Sequence, residues 1–161
     1  MVKSAVLDRG NAQQIIQGLS QTLANTFTIT LLTKNFHWNV IDPRFIMLHE
    51  LWDKQYEELS DAIDELAERI RKLKGRTPAS LQEYINMTTI AENDTQLTAN
   101  EMILQLLRGH EKIIKHIRPL IEESQKFGDE GTGDLYIQRL RSHEKMAWML
   151  RSHLVDIENE N

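Results

Sequence analysis

The chain has 161 residues, 40% of them hydrophobic, and a net charge of −5, values that suit one domain with a buried core. It contains no cysteine, which excludes disulfides, iron–sulfur clusters and thiolate zinc sites and leaves only nitrogen and oxygen ligands for a metal. The negative charge argues against a strongly basic nucleic-acid surface, and no stretch approaches the roughly 18 apolar residues of a membrane span. Since residues 1–10 lack the apolar core of a signal peptide, we predict a cytoplasmic protein without membrane contact.

The first predicted element is a long helix. Few glycines and prolines, with many Leu, Glu, Lys, Gln and Ala residues, predict an all-α protein. Apolar residues recur at helical spacing from about residue 12 to residue 40. They are Ile16, Leu19, Leu23, Phe27 and Leu31. His37 falls about 60° from the centre of this stripe, toward the edge of the apolar face.

A second helix is predicted to begin at Asp42-Pro43-Arg44, because aspartate is a good N-cap and proline is favoured at the first helical position. We therefore interpret Asp42 as a cap rather than a metal ligand. The helix is expected to end near Gly75, after an apolar series at steps of three and four residues. The series comprises Phe45, Leu48, Trp52, Tyr56, Leu59, Ile63, Leu66, Ile70 and Leu73.

Residues 76–97 form a long connection of the kind that crosses the length of a helical bundle. A short helix is predicted within it, over residues 80–87. A third long helix is predicted to begin at a capping box formed by Thr98 and Glu101.

The third helix is expected to end near Phe127, before Gly128. Pro119 lies inside it and should bend the helix or remove one backbone hydrogen bond. The last helix is predicted to start near Thr132 and to present one apolar series. This series comprises Leu140, His143, Ala147, Leu150, Leu154 and Ile157. Four long helices predict a four-helix bundle with a short extra helix between helices two and three. We expect one domain over residues 1–161.

Two pairs of potential metal ligands lie on the second helix. His49 and Asp53 are four residues apart, and residues at this spacing project from one helix face closely enough to share a cation. Asp64 and Glu68 have the same spacing. The two pairs share a face to within about 20°, but their centres are about 22 Å apart along the axis. One metal therefore cannot contact both pairs of the same chain.

An antiparallel second copy of this helix would bring the pairs together. A two-fold axis near residues 58 and 59 places the first pair of one subunit beside the second pair of the other, which makes two identical sites. His37 is placed to reach the same pocket across the turn before the second helix. The predicted ligands are His37, His49 and Asp53 from one chain, with Asp64 and Glu68 from the other. The alternative is a solvated helix face with ordinary salt bridges and satisfied core histidines.

Carboxylates combined with imidazoles select ferrous iron, manganese or zinc. Open coordination positions at such a centre permit reactions with dioxygen or peroxide. The di-iron centre inside a single ferritin-type bundle uses a Glu-x-x-His motif, and no histidine of this chain has Glu three residues before it. That single-bundle centre is therefore absent, and a site between subunits would take ferrous iron, manganese or zinc.

Several motifs resemble those of the Dps family, the miniferritins named as DNA-binding proteins from starved cells. They are His37-Trp38-x-Val40, Leu48-His49-x-x-x-Asp53, Asp64-Glu65-Leu66-Ala67-Glu68-Arg69, Asp129-x-x-Thr132-x-Asp134-Leu135 and His143-Glu144-Lys145-x-Ala147-Trp148. The resemblance covers nearly the whole chain. It implies the ferritin-like form of the four-helix bundle, and a hollow homododecamer with ferroxidase sites at two-fold interfaces. It also implies oxidation of ferrous iron, preferably by hydrogen peroxide or otherwise by dioxygen, and storage of a ferric mineral inside.

The chain departs from the family pattern at two places. Asp42 stands where the family usually has glycine, a change that N-capping explains. Members that bind DNA tightly often use a flexible lysine-rich tail, whereas the residues before the first helix hold Lys3 and Arg9 with the opposing Asp8. DNA binding is therefore not implied for this chain, and we predict that it is weak.

Asp129 and Asp134 resemble the acidic residues that line the family's three-fold pores for iron uptake. Glu130 beside them would add to a field that draws cations inward. The alternative is the ordinary acidity of a helix N-terminus, which stabilises the helix dipole. Trp38 and Trp52 flank the ligands, where they either intercept radicals or pack in the core.

These residues are compatible with three functional interpretations. The first is an iron-oxidising and iron-storing cage that protects DNA and the cell from oxidative damage. The second is a nucleoid DNA-binding structural oligomer with little ferroxidase activity, and the third is a structural zinc or manganese site. The intact ligand set favours the first. Among the other histidines, we interpret His143 as a satisfied core residue, and His110, His116 and His153 as structural or exposed.

Overall fold

The computed structural model describes residues 7–92 and 96–154. Its helices are α1 (Arg9–Asn39), α2 (Phe45–Lys72), α3 (Leu81–Met87), α4 (Ala99–Lys126) and α5 (Glu130–Arg151). No strand occurs within the described ranges, so the predicted all-α bundle with a short extra helix is confirmed. Lys3 and Ile157, which figured in the sequence predictions, lie outside these ranges.

Two helical hairpins form the bundle. α1 packs along α2, α4 packs along α5, and α1 also contacts α4 and so joins the hairpins. α3 lies against α1 within the long connection. The buried apolar side chains form one core, in which each fully buried Leu or Ile contributes about 2 kcal/mol of hydrophobic stabilisation. None of the described helices combines the length and apolar character that a membrane-spanning helix needs.

α1 begins at Arg9, shortly before the predicted start near residue 12. The Asp8 carboxylate caps the helix by accepting a 3.1 Å hydrogen bond from the Gly10 amide. The predicted apolar stripe is also displaced, because Leu31 is 46% exposed. Threonines occupy part of the buried face instead, and their hydroxyls donate to carbonyl oxygens one turn earlier, which satisfies them locally. These residues are Thr22, Thr26, Thr30 and Thr33.

α2 begins at Phe45, so the predicted N-cap at Asp42 is wrong. The Asp42 carboxylate accepts hydrogen bonds from the Arg44 guanidinium at 2.8 and 3.0 Å and from the Arg44 amide at 2.8 Å. These bonds lower the pKa of Asp42 to about 2. The Asp42 carbonyl accepts the Phe45 amide at 2.9 Å. Asp42 therefore closes a turn just before the helix, and its carboxylate is used there.

α3 and α4 lie where the sequence predicts. Ser80 caps α3 by accepting a hydrogen bond from the backbone of residue 83, and the capping box of Thr98 and Glu101 starts α4. Pro119 lies inside α4, where it lacks the amide hydrogen that a regular helix uses. After α4 ends, Gly128 has a φ of 77°, in the left-handed region that favours glycine.

α5 begins at Glu130, before the predicted start near Thr132. The cause is Asp129, whose carboxylate caps the helix by accepting the Thr132 amide at 3.0 Å. The buried face of α5 includes Tyr136 and Arg139, which the predicted apolar series did not contain.

Two buried histidines link α4 and α5. His110 and His143 have no exposed surface, and their Nδ1 atoms form a 2.9 Å hydrogen bond. Burial lowers the pKa of His110 to about 3 and that of His143 well below its usual value, and nearby Arg139 adds to both effects. Both rings are therefore neutral at pH 7. His143 is a core residue as predicted. Its Nδ1 has a hydrogen-bond partner, whereas the Nε2 atoms of His110 and His143 have none among the described residues.

Candidate metal centre

His37 and His49 meet at the junction of α1 and α2. Their rings stack with centroids 3.7 Å apart and 13° between the planes. His37 Nδ1 lies 2.8 Å from the His49 carbonyl oxygen, and His49 Nδ1 lies 2.9 Å from the His37 carbonyl oxygen. Because a carbonyl oxygen only accepts, both Nδ1 atoms donate and carry the hydrogen. In the neutral rings each Nε2 therefore keeps a free lone pair, which is the state in which imidazole binds a metal.

Asp53 is the third predicted ligand in this part of the chain. It lies one turn after His49 on α2, and its Oδ1 is 3.9 Å from His37 Nε2. The His37 side chain is almost fully buried, whereas the Asp53 carboxylate is close to half exposed. The structure thus places these three predicted ligands at one end of the α1–α2 hairpin, with the carboxylate at the open side.

Aromatic side chains hold both imidazoles in place. The Phe45 ring stacks on His49 with centroids 4.9 Å apart, and Tyr56 contacts His37 edge-on at 5.2 Å. Tyr56 is also within hydrogen-bonding reach of Asp53, an interaction that raises the pKa of the phenol. The role of Tyr56 was not predicted, although it follows Asp53 by three residues and so shares its helix face.

The second predicted ligand pair lies further along α2. Asp64 and Glu68 are exposed, and neither carboxylate has a hydrogen-bond or ion-pair partner in the described part of the chain. The unbroken helix keeps this pair about 22 Å from the first one. Within residues 7–92 and 96–154, no three His, Cys, Asp or Glu side chains are arranged to hold a metal. One chain therefore presents the predicted ligands in two separate groups.

Exposed apolar side chains lie close in sequence to the two histidines, at the end of α1 and the start of α2. They are Trp38, Ile41, Phe45, Ile46 and Met47. Ile41 is 95% exposed and Trp38 is 64% exposed, values typical of residues that a partner covers. Trp38 is therefore not a core residue, whereas Trp52, the other tryptophan predicted to flank the ligands, is fully buried.

The two candidate pore residues have different environments. Asp129 is 5% exposed, and its carboxylate accepts hydrogen bonds of 2.5 Å from both the Arg69 guanidinium and the Thr132 hydroxyl. Its charge is therefore used within the subunit, by a helix cap and an ion pair. Asp134 is exposed and accepts a 2.8 Å hydrogen bond from Gln138. The contact with Arg69 was not predicted, because it joins residues 60 positions apart.

Comparisons with known proteins cover most of the chain. A family model described as a ferritin-like domain matches residues 16–159. The chain is 36% identical over 144 residues to an uncharacterised low-temperature-induced protein of Nostoc, covering 88% of this chain and 80% of that protein. It is 34% identical over 142 residues to DNA protection during starvation protein 2 of Bacillus anthracis, covering 88% of this chain and 97% of that protein.

The fold of this chain is also similar to that of a solved Dps structure. Dps from Vibrio cholerae, described as a member of a broad superfamily of ferritin-like diiron-carboxylate proteins, superposes with a TM-score of 0.88 at 32% identity. The superposition covers 92% of this chain and 93% of that chain. The matches thus concern the whole bundle and not one motif, and the resemblance seen in the motifs is confirmed. The chain belongs to the Dps family of ferritin-like proteins.

Proposed function

We propose that this protein is a ferroxidase, a cage subunit that oxidises ferrous iron and stores the ferric product. Membership of the family supports iron storage and DNA protection in general. The observation that carries the more specific proposal is the reciprocal bonding of His37 and His49, because it presents two metal-binding Nε2 atoms in fixed positions. The carboxylates of Asp64 and Glu68, which lie on α2 as His49 does and have no partner among the described residues, supply the oxygen ligands that iron prefers alongside imidazole.

Each oxidation centre is proposed to form between two subunits. An antiparallel copy of α2 would place Asp64 and Glu68 of one chain beside His37, His49 and Asp53 of the other, and the two-fold symmetry would give two identical centres. The exposed apolar surface at the end of α1 and the start of α2 supports this arrangement. Its burial by a second copy would remove from water the side chains that a monomer leaves uncovered.

Ferrous iron is the substrate of the proposed reaction, and hydrogen peroxide is the preferred oxidant. Two ferrous ions lose one electron each, the O–O bond breaks, and two protons are taken up to form two water molecules. The carboxylates balance the additional positive charge of the ferric product, while the fixed imidazoles keep the centre in place. Zinc or manganese would occupy the same ligands and compete with iron. Dioxygen is the alternative oxidant.

The cage is proposed to be a cytoplasmic homododecamer of single-domain subunits. Iron would enter through three-fold pores, where Asp134 supplies an exposed charge and Asp129 supports the pore wall through Arg69 and Thr132. Removal of both ferrous iron and peroxide protects DNA without direct contact. DNA binding itself is proposed to be weak, because the chain has a net charge of −5.

Anaerobic loading with ferrous iron tests this function. Hydrogen peroxide and dioxygen are then added in separate experiments, and ferric absorbance is followed with time. We expect rapid oxidation with about one peroxide used per two ferrous ions, and a rate at least about tenfold lower for Glu68→Gln. Glu122→Gln, a change of an exposed glutamate on α4, is the matched control and should keep the native rate.

Oxidation no faster than that of ferrous iron in buffer alone would contradict the ferroxidase assignment. Combined with tight DNA retention, that result would favour the structural DNA-binding oligomer instead.

A further inference from the structure

A cleft lies at the end of the α1–α2 hairpin opposite the histidines. It has a volume of about 1070 Å³ and is formed by the start of α1, the end of α2 and the turn between α4 and α5. Its charged lining residues are Arg9, Arg69, Lys72, Lys74, Arg76 and Asp129. Five of these six are cations, although the chain as a whole has a net charge of −5. None of the candidate iron ligands lines this cleft.

Ion pairs within the subunit use only part of this positive charge. Asp129 is bound by Arg69 at 2.5 Å, and Arg76 pairs with Glu83 at 2.6 Å. Three lining side chains have no hydrogen-bond or ion-pair partner among the described residues: Arg9, Lys72 and Lys74. Unpaired cations around one concave surface produce a positive potential, which the low-dielectric walls concentrate in the cleft.

Lys74, which follows α2, lines the cleft in a strained backbone conformation. Lys74 has a φ of 66°, in the left-handed region where glycine is favoured and a side chain is strained. At Gly75, an added Cβ would lie 2.8 Å from the Ile16 side chain and 3.0 Å from that of Ile70. The chain therefore turns tightly against α1 at Gly75. A glycine at position 74 would relieve the strain, but it would remove a charge from the cleft.

We propose that this cleft binds a soluble oligophosphate anion of about nucleotide size. Phosphate oxygens are bound by the planar guanidinium of arginine and by the point charge of lysine. The volume is close to the upper end of the roughly 300–1,000 Å³ range of small-molecule sites. Leu7, Ile16 and Leu73 add an apolar wall, which suits the organic part of a nucleotide. Duplex DNA is a convex cylinder, and its phosphates contact protruding groups rather than enter a cleft of this size.

Isothermal titration calorimetry on the full-length, iron-free protein tests the proposal. The probes are inorganic tripolyphosphate and adenosine triphosphate at about 50 mM salt, where surface charges are only partly screened. The double variant Lys72→Gln/Lys74→Gly removes two cations and also relieves the backbone strain at position 74. Lys115→Gln/Lys145→Gln, which removes two exposed lysines of α4 and α5 outside the cleft, is the matched control with the same charge change.

We expect tripolyphosphate to bind the native protein, with affinity about tenfold weaker in the double variant and changed less than about twofold in the control. Tighter binding of adenosine triphosphate would assign the apolar wall to the nucleoside. Equal binding would assign recognition to the phosphates alone, and both outcomes support an oligophosphate site.

Two results would overturn the proposal. One is the absence of tripolyphosphate binding up to about 1 mM, or an equal affinity of the native protein and the double variant. The other is binding of a short DNA duplex, titrated as a third probe under the same conditions, that the double variant loses while it keeps its affinity for tripolyphosphate, since the cleft would then belong to a DNA surface. Because the titration contains no iron, its outcome does not depend on the proposed ferroxidase activity.

Discussion

Mild acid is expected to destabilise the subunit through the buried pair of His110 and His143. The pKa of His110 is lowered to about 3 by burial, whereas histidine in an unfolded chain titrates near 6.5. A group whose pKa is lower in the folded state takes up a proton on unfolding. The stability is therefore complete above about pH 6.5, and it falls as the pH decreases toward the folded-state pKa.

The size of this effect follows from the shift. At pH 5 a histidine that titrates near 6.5 only in the unfolded chain lowers the free energy of unfolding by RT ln(1 + 10^1.5), or about 2 kcal/mol. Burial also lowers the pKa of His143 well below its usual value, so His143 acts in the same direction and the pair costs at least about 2 kcal/mol at pH 5. The cost is negligible at pH 7.5. A loss of this size is a large part of the roughly 5–15 kcal/mol that stabilises a typical domain.

Urea denaturation followed by circular dichroism measures the effect at pH 7.5 and pH 5, at one fixed subunit concentration. The control is His110→Gln/His143→Gln, in which neither position titrates. Between the two pH values the native protein should lose at least about 2 kcal/mol more stability than the control. An equal loss in both proteins would refute the assignment of this pH dependence to the histidine pair.

Three further predictions concern the pore residues and the surface. Asp134→Asn should slow iron uptake at low ferrous concentration and low salt without changing stability, because an exposed pore charge acts on the rate; unchanged stopped-flow rates would remove Asp134 from the pore. Asp129→Asn should lower the free energy of unfolding by about 2 kcal/mol, because it leaves Arg69 without its carboxylate; an unchanged urea midpoint would contradict that role. DNA should not be retained in a gel shift at about 150 mM salt, and a tight complex that dissociates with added salt would contradict this prediction.

Local structure could be predicted where neighbouring residues determine it. The capping box of Thr98 and Glu101 forms as predicted, because both partners lie within one helical turn. The start of α2 could not be predicted from the same kind of pattern. There the Arg44 side chain and amide bind the Asp42 carboxylate, and this turn displaces the helix start to Phe45.

The candidate site was predictable in its spacing and not in its supporting contacts. Helical periodicity alone places His49 one turn from Asp53. The imidazoles of His37 and His49 each donate a hydrogen bond to the other residue's carbonyl oxygen. These two bonds depend on how α1 and α2 meet, which no local pattern specifies. The ion pair of Arg69 and Asp129 likewise joins distant parts of the chain, so the buried state of Asp129 could not be inferred from its position at a helix start.

Each oxidation site is proposed to be built from two chains. One variant carries His49→Ala and Asp53→Ala, and a second carries Asp64→Ala and Glu68→Ala. Each alone should assemble but oxidise ferrous iron poorly, since every site lacks two of its five ligands. A mixed dimer has one site that lacks both pairs and one that is whole.

Ferrous oxidation by cages co-assembled from equal amounts of the two variants is the most direct measurement. Random mixing makes about half of the dimers mixed, with one whole site of two in each, so these cages should recover roughly a quarter of the native rate. Cages that are shown to contain both variants, yet oxidise iron no faster than the average of the two parents, would contradict the shared site.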